Sequence, residues 1–323
     1  MNMKVPIILD TTFLPFHFPY LRVSDTLVCM ARNISNKNGR ALEYQIIRYI
    51  NSSISQFSVT LTNRAVRDQE RDKLKFDTLI QDLKISYQKC AVIVHNWLRE
   101  RLNSTEITID RLPDSAAKEG DITDIRIKSG TQVINLSIKH NHSALKHQRP
   151  PTTAERCGYS AGSMEDILFR GKYRIILEKF LEKTKELSPK AQYFRDLIAI
   201  DKDFINNNLY LPVCKLVAVT INNLCNNEKK AQNLFSFLVG STDFYKIIDY
   251  KYEVVILDFN TIDKVSSVAA KLRGKSYVDL EFSNGWIVGM RLHTAASALG
   301  KSLKFDTQPK SIPSVPRVSI PKP

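Results

Sequence analysis

The sequence predicts an α/β or α+β fold in which a central mixed β-sheet is flanked by helices. Three observations support this prediction: helical spacing dominates the first third of the chain, a hairpin pattern occupies its centre, and most strand patterns follow residue 215. An order of helices, a hairpin and then mixed strands favours a single mixed sheet. No domain boundary is evident along the chain.

Helices are predicted where apolar residues recur three or four positions apart. The first follows a turn at Gly39 and covers residues 39–57, and a long helix over 66–103 comes next. Two further helices are predicted over 164–187 and 190–207.

Strands are predicted from alternation and from β-branched composition. Residues 121–128 and 132–139 flank Ser129-Gly130, which is typical of a β-hairpin. Five later segments have strand composition, namely LVAVTIN, YEVVILDF, SYVDLEFS, WIVGMRLHT and KSLKFD. The last 17 residues, TQPKSIPSVPRVSIPKP, contain five prolines and cannot hold a helix, so we expect them to be extended or mobile.

The net charge of +14 is the most informative feature of the composition. A globular protein this basic is attracted to polyanions, first nucleic acid and then anionic membranes. The sequence has no apolar run of 18 residues and no basic amphipathic helix with aromatic anchors, which argues against a membrane role. Its five cysteines lack C-x-x-C spacing, which argues against structural zinc and a disulfide framework. The N-terminus is a poor signal peptide, so we expect a cytoplasmic protein.

The register of the central hairpin decides which side chains share a face. With Ser129-Gly130 as a two-residue turn, Asp124 pairs with Asn135, and side chains alternate between the faces with a period of two. The face opposite Asp124 then carries a core-facing apolar set, which consists of Ile125, Ile127, Ile134, Leu136 and Ile138. A change of register would bring Asp121 to the polar face instead.

The polar face of the hairpin gathers Asp124, Ser137 and Lys139. A carboxylate holds a hard divalent cation through oxygen, and such a cation polarises a phosphoryl oxygen and activates a bound water. A nearby lysine orients the water and stabilises negative charge in the transition state. These residue types are also common on protein surfaces, so a nuclease site and ordinary surface chemistry both stay open on the spacing alone.

The segment that follows the hairpin is basic and rich in histidine. Residues 125–154 contain no Asp or Glu, and each Lys or Arg in them can neutralise a phosphate. No carboxylate or thiol is available there to complete a histidine-ligated metal site. We interpret the segment as a DNA contact, with a polar surface as the alternative. Its candidate DNA-binding residues are His140, Asn141, His142, Lys146, His147 and Arg149.

Three segments resemble the HaeIII family of type II restriction endonucleases. They are NKNGRALEYQI, the central GDITDIRI…INLSIKHNHSALKHQRP, and FSNGWIVGMRLHTAASALGKSLKFDTQP, and together they span almost the whole chain. The hairpin also resembles the PD-(D/E)xK nuclease motif, in which an aspartate on one strand precedes [E/D/S]-x-K on the next. The resemblance implies a restriction-endonuclease-like core and cleavage of a short GC-rich palindrome such as GGCC with Mg²⁺, for which Mn²⁺ is a substitute.

The resemblance also implies roles for residues. Asp124 matches the metal-binding aspartate and Lys139 the catalytic lysine, with Asp121 as the fallback metal ligand. Ser137 stands in the catalytic motif where an acidic ligand is common, so a further carboxylate is needed. Glu43 on the upstream helix is the candidate, and an exposed helix residue is the alternative interpretation of Glu43.

A GC-rich target requires Arg and Lys, because these side chains contact guanine O6 and N7 in the major groove. Besides the segment after the hairpin, the candidates are Arg291, His293 and Lys304 in the C-terminal block. The alternation in WIVGMRLHT places Arg291 and His293 on one strand face, opposite Met290 and Leu292.

The expected organisation is one catalytic and DNA-binding domain over 1–308, with a helical N-terminal part and a C-terminal DNA-reading subdomain, and a Pro-rich tail over 309–323. Double-stranded DNA is the expected partner. A palindromic target suits a homodimer, and a cognate methyltransferase would protect a prokaryotic host. Two alternatives stay open. One is a nuclease of the same superfamily that acts in repair, in mobile elements or under RNA direction, and the other is a basic DNA-binding protein without catalysis.

Overall fold

The chain folds around two β-sheets with helices packed against both. The computed structural model describes residues 25–53, 56–113, 115–116, 120–260, 262–294, 296–300, 303–313 and 315–323, with side chains from residue 37 onward. One sheet is mixed and has seven strands, and the other is antiparallel and has four. The predicted mixed α/β fold is therefore confirmed. The structure contains two sheets, whereas one was predicted.

The helices differ in length and in the sheet that they cover. Their bounds are α1 (Asp25–Ser52), α2 (Asn63–Asp77), α3 (Gln81–Arg99), α4 (Thr153–Arg156), α5 (Met164–Leu187), α6 (Phe194–Ile200), α7 (Leu211–Leu224) and α8 (Glu228–Val239). None of the helices in the described ranges combines the length and apolarity needed to span a bilayer.

The strands are short, as is usual for mixed sheets. Their bounds are β1 (Ser58–Leu61), β2 (Glu106–Arg111), β3 (Ile125–Ser129), β4 (Gln132–His140), β5 (Tyr245–Asp249), β6 (Glu253–Asp258), β7 (Val268–Arg273), β8 (Tyr277–Phe282), β9 (Ile287–Thr294), β10 (Leu303–Ser311) and β11 (Arg317–Pro321). The large sheet has the order β1-β2-β3-β4-β5-β6-β11, and the second sheet has the order β10-β9-β8-β7. In the large sheet, the β1–β2 and β4–β5 pairs are parallel and the others are antiparallel.

The early helices depart from the predicted bounds at several places. Helix α1 ends at Ser52 and not at residue 57. Helix α1 continues through Gly39, so the predicted start of a helix at that residue is wrong. The long helix predicted over 66–103 is two helices, because Thr78 ends α2 and its hydroxyl donates to the Leu74 carbonyl. Ile80 is extended and begins α3. The break allows α2 and α3 to pack separately on α1.

The segment LVAVTIN was predicted as a strand and forms part of α7, so that prediction is wrong. Its β-branched composition suits a strand, but the buried residues recur at helical spacing. They are Val213, Cys214, Val217, Ala218 and Ile221. A proline in the first turn also suits a helix start. The helix predicted over 190–207 is divided, because α6 ends at Ile200 and Asn206–Tyr210 form a π-helical stretch that continues into α7. The helix over 164–187 and the other four strand segments are confirmed.

The Pro-rich tail is part of both sheets. Strand β10 ends at Ser311, and β11 pairs antiparallel with β6 at the edge of the large sheet. Edge strands tolerate proline because one side of the strand needs no ladder hydrogen bond. Lys322 then places its ammonium 2.5 Å from the buried Asp249 carboxylate. The tail is extended, as predicted, and it is tied to the sheet interior.

Two apolar clusters lie on opposite faces of the large sheet. One is shared by α1, α3 and β2 to β6, and it includes Trp97. The other joins α5, α7 and α8 to the second sheet and to β5 and β6, and it includes Trp286. The hairpin of β3 and β4 therefore lies against a packed core and is held in place on that side.

Candidate active site

The hairpin turn differs by one residue from the prediction. Ser129 pairs with Gln132, so the two turn residues are Gly130 and Thr131 and not Ser129-Gly130. Gly130 has φ +58°, which suits the first central position of a tight hairpin turn. Beyond the last ladder pair, Asp124 consequently lies opposite Ser137. The residue opposite Asp124 is therefore Ser137 and not Asn135, a shift of two positions that leaves Asp124 on the predicted face. The predicted apolar set on the other face is buried.

Asp124 collects the predicted partners around one carboxylate oxygen. Its Oδ2 accepts a hydrogen bond from the Ile138 amide at 2.6 Å, from Lys139 Nζ at 3.3 Å and from Ser137 Oγ at 3.4 Å. The backbone bond fixes the carboxylate relative to β4, so Asp124 and Lys139 are held side by side.

Glu43 reaches the same place from α1. Its side chain is buried, which excludes the exposed alternative, and it pairs with Arg40 at 2.9 Å and with Arg111. Burial raises the pKa of the Glu43 carboxyl, and the negative charge of Asp124 raises it further, against the opposing charges of Arg111 and Arg40. Glu43 and Asp124 are therefore close enough to repel each other.

Behind Glu43, Arg111 and Asp72 form a chain of buried ion pairs, called the relay below. The sequence did not reveal it. Both side chains are fully buried, and Arg111 Nη1 lies 2.8 Å from Asp72 Oδ2. Asp72 is also bound by Arg71 and Lys75. Burial acts to raise the pKa of Asp72, but hydrogen bonds from Arg71 and Lys75 outweigh it and hold that pKa well below its usual range. The relay fixes the Glu43 carboxylate in one position.

Asp121 is engaged in the turn that leads into β3. Its Oδ1 accepts from the Thr123 amide at 3.0 Å, and its Oδ2 accepts from Arg126 Nη2 at 2.6 Å. Burial raises the pKa of Asp121, but the bonds from Thr123 and Arg126 lower it overall. Asp121 lines the same cavity as Asp124, yet its carboxylate is committed to a turn and to a guanidinium.

Lys246 on β5 is a buried lysine that the sequence analysis missed. It pairs in register with Ser137, so it extends the Asp124 row onto a third strand. Its Nζ donates to the carbonyls of Ser143 at 2.9 Å and Ala144 at 3.0 Å. Burial, and then the charge of Lys139, lowers the pKa of Lys246 to about 7. The available signal was a lysine next to apolar residues in the segment FYKIID.

These groups surround a cavity of about 450 Å³ at the centre of the hairpin. Nine of the predicted site residues line it, namely Glu43, Asp121, Asp124, Ser137, Lys139, His140, His142, Lys146 and His147. The other predicted DNA contacts lie outside this lining, namely Asn141, Arg149, Arg291, His293 and Lys304. The cavity is thus lined by both carboxylates and basic side chains.

The histidines and the lysine of the basic segment are held by different means. His140 Nδ1 lies 3.2 Å from the buried Asp249 carboxylate. Burial, and then Lys139, lowers the pKa of His142 to about 4, so His142 is neutral at pH 7. Lys146 lies 4.3 Å from the centre of the Phe237 ring, and burial lowers its pKa to about 8.

The predicted alternation on β9 is confirmed. Met290 and Leu292 are buried, whereas Arg291 is exposed and His293 is half-buried. His293 and Lys304 lie beside each other in the β9–β10 register. Both contact the carboxylate of Asp306. Asp306 was not among the site residues predicted from the sequence.

The two carboxylates of the cavity suit a hard divalent cation. Glu43 from α1 and Asp124 from just before β3 line one space, and burial, followed by the charge of Asp124, raises the pKa of Glu43, so a cation would favour both ionised forms. Mg²⁺ prefers oxygen ligands and keeps several waters, so it needs only one or two protein carboxylates. Among the described residues, no group of three or more His, Cys, Asp or Glu side chains is placed so that it could hold a metal ion, as a site of the zinc type would require.

Comparisons with known proteins give a family match and a relative. The family model described as HaeIII restriction endonuclease matches residues 39–263, which is more than half of the chain and includes the whole cavity. A protein of Haemophilus aegyptius named type II restriction enzyme HaeIII is 26% identical over 326 residues, which cover 87% of this chain and 96% of the relative. No solved structure matches the chain.

Proposed function

Because the chain belongs to the HaeIII restriction endonuclease family, whose members are type II site-specific deoxyribonucleases, we propose that its cavity hydrolyses phosphodiester bonds of duplex DNA with Mg²⁺. The observation that carries the proposal is the contact of Asp124 Oδ2 with Lys139 Nζ at 3.3 Å, next to the buried Glu43. A protein that only bound phosphate would gain nothing from two carboxylates inside a basic cavity.

Asp124 and Glu43 are the residues that would hold Mg²⁺. When bound, Mg²⁺ supplies positive charge at the phosphoryl oxygen and lowers the pKa of a bound water. Asp124 is preferred over Asp121 because the Asp121 carboxylate is committed to Arg126 and to its own turn. The relay of Arg111 and Asp72 keeps Glu43 aimed at the cavity.

Lys139 orients the attacking water and stabilises the charge that develops on the phosphoryl group. Its position follows from β4, which also presents Ser137 to Asp124. Ser137 is too short to ligate in place of a carboxylate and serves to hold Asp124. The product carries a 5′-phosphate.

The target proposed is a short GC-rich palindrome, with GGCC as the sequence that the family resemblance implies. Basic side chains at the cavity rim, Lys146 and His147 among them, suit the guanine edges of such a site. A palindrome is matched by a twofold homodimer, and a methyltransferase of the same specificity would protect the host. Mn²⁺ is expected to substitute for Mg²⁺.

Plasmid cleavage tests the proposal. Incubation with Mg²⁺ should give discrete fragments that map to GGCC, whereas EDTA, or methylation of those sites, should leave the plasmid intact. Asp124→Ala and Lys139→Ala should each abolish cutting. Lys128→Ala is the matched control, because Lys128 is an exposed lysine of the same hairpin outside the cavity.

Two results would contradict this assignment. Full activity in Lys139→Ala would remove the catalytic role of that lysine. Cutting without sequence preference, or cutting unaffected by methylation, would instead favour a nuclease used in repair or mobile elements.

A further inference from the structure

Asp306 on β10 lies where three basic or titratable side chains from different segments meet. Its Oδ1 is 2.9 Å from His147 Nδ1 and 3.2 Å from Lys304 Nζ, and its Oδ2 is 2.7 Å from His293 Nε2. His147 comes from the loop after β4, which leads out of the cavity, and the other two come from the second sheet. One carboxylate therefore connects the cavity rim to the second sheet.

The backbone of that loop, residues 141–149, runs beside β10. The Leu145 amide donates to the Thr307 carbonyl at 3.0 Å, and the amides of Gln148 and Phe305 donate to each other's carbonyls at 3.3 and 2.7 Å. These bonds flank the position of the carboxylate on both sides. The loop is thus fixed along its outer edge by the second sheet.

The inner edge of the loop is fixed by the active-site strands. Lys246 holds the carbonyls of Ser143 and Ala144, and the Asn141 amide donates to the Asp249 carbonyl at 2.9 Å. The loop therefore joins the row that contains Asp124 to the second sheet through contacts on both edges.

A carboxylate on this face is unfavourable for simple attraction to DNA. The side chains next to Asp306, namely His147, Arg291, His293 and Lys304, are basic or titratable, and a negative charge among them repels phosphates. The Asp306 carboxylate is explained if it holds three side chains in fixed directions. Side chains that are already ordered lose less conformational entropy when DNA binds. The Asp306 side chain is 38% exposed, and its two carboxylate oxygens lie within ion-pair distance of all three neighbours.

We propose that Asp306 is a positioning residue that joins the 141–149 loop and the second sheet into one DNA-binding surface, so that contact with the target sequence is transmitted to Asp124 and Lys139. The inference rests on the proposed function for its DNA partner. It predicts a loss of cleavage in a variant for which charge alone predicts none.

The test uses Asp306→Asn in the full chain. If charge alone mattered, loss of a negative charge would tighten DNA binding and leave cleavage intact. If Asp306 positions the loop, the single-turnover cleavage rate with saturating enzyme should fall about tenfold while binding to non-specific duplex is unchanged or tighter, since small misplacements cost rate and not affinity. Asp306→Glu keeps the charge at a different reach and should show an intermediate loss.

Asp279→Asn is the matched control. Asp279 lies on β8 of the same sheet and also binds two cations, Arg273 at 2.8 Å and Lys310 at 2.6 Å, but it does not contact the loop. The charge change is identical, so a cleavage rate within about twofold of the wild type is expected for this variant.

Amide hydrogen exchange without DNA separates this inference from the proposed function. The amides of Leu145 and Gln148 should exchange faster in Asp306→Asn and not in Asp279→Asn. Unchanged exchange, or wild-type cleavage by Asp306→Asn, overturns the positioning role. If the wild-type protein itself cuts no DNA, the proposed function fails, and the exchange result still decides whether Asp306 holds the loop.

Discussion

At the scale of single residues, the site depends on charges that are buried and paired. Glu43 is held near Asp124 against mutual repulsion, and Arg111 is the buried cation that makes this tolerable. Removing one member of a buried ion pair leaves an uncompensated charge, which costs far more than breaking an exposed pair. Arg111 should therefore matter to folding as much as to catalysis.

We predict that Arg111→Met lowers the free energy of unfolding by about 3–5 kcal/mol, because both Glu43 and Asp72 lose a buried partner. Urea denaturation followed by circular dichroism measures the effect. Arg71→Met is the control, since Arg71 binds the same Asp72 from an exposed position, and it should cost less than about 1 kcal/mol. Equal losses in the two variants would show that the relay does not stabilise the fold.

At the scale of elements, the edge strand β11 has a role beyond completing the sheet. It ends next to Lys322, whose ammonium contacts Asp249 at 2.5 Å and the Tyr250 carbonyl at 2.7 Å. Asp249 in turn lies 3.2 Å from His140 at the cavity rim. The C-terminus is therefore connected to the active site through a single buried carboxylate.

We predict that Lys322→Met lowers the free energy of unfolding by about 3–5 kcal/mol, because buried Asp249 loses its cation. Arg317→Met on the same edge strand is the control. Arg317 is exposed and lies 3.9 Å from Glu253, so its loss should cost less than about 1 kcal/mol. Thermal or urea unfolding gives both values, and a Lys322→Met protein as stable as Arg317→Met would contradict the role given to the tail.

Elements defined by local alternation were predictable from sequence, and elements defined by tertiary packing were not. The hairpin of β3 and β4 follows from apolar and polar residues in strict alternation, so an error of one residue in the turn left the Asp124 face unchanged. The LVAVTIN segment misled because β-branched residues also fill buried helices.

The same distinction explains which site residues were found. Asp124 and Lys139 are 15 residues apart on adjoining strands, within reach of a register argument. Arg111 binds Glu43 across 68 residues, and Lys246 reaches Ser143 across 103. Partners at such separations are set by sheet order and helix packing, which the pattern of one sequence does not encode locally.

At the scale of the whole molecule, the net charge of +14 acts on DNA before any specific contact forms. The charged cavity rim and the exposed face of β9 are joined through the 141–149 loop into one surface. Attraction of this kind is screened by salt, whereas the close contacts of Asp124, Glu43 and Lys139 within the cavity are screened much less. Binding and cleavage should therefore respond differently to ionic strength.

We predict that affinity for non-specific duplex, measured in EDTA, falls steeply with salt while the single-turnover rate at saturating enzyme changes little. A surface that contacts about six to ten phosphates loses about 10³- to 10⁵-fold in affinity between about 50 and 200 mM salt. Arg291→Met should reduce the slope of log affinity against log salt by about one, because Arg291 is exposed on the proposed DNA face. Lys271→Met should leave the slope unchanged, since Lys271 lies on the opposite edge strand of the same sheet and pairs with Glu281. A reduced slope in Lys271→Met with none in Arg291→Met would place the DNA on the far edge of the second sheet, away from the cavity.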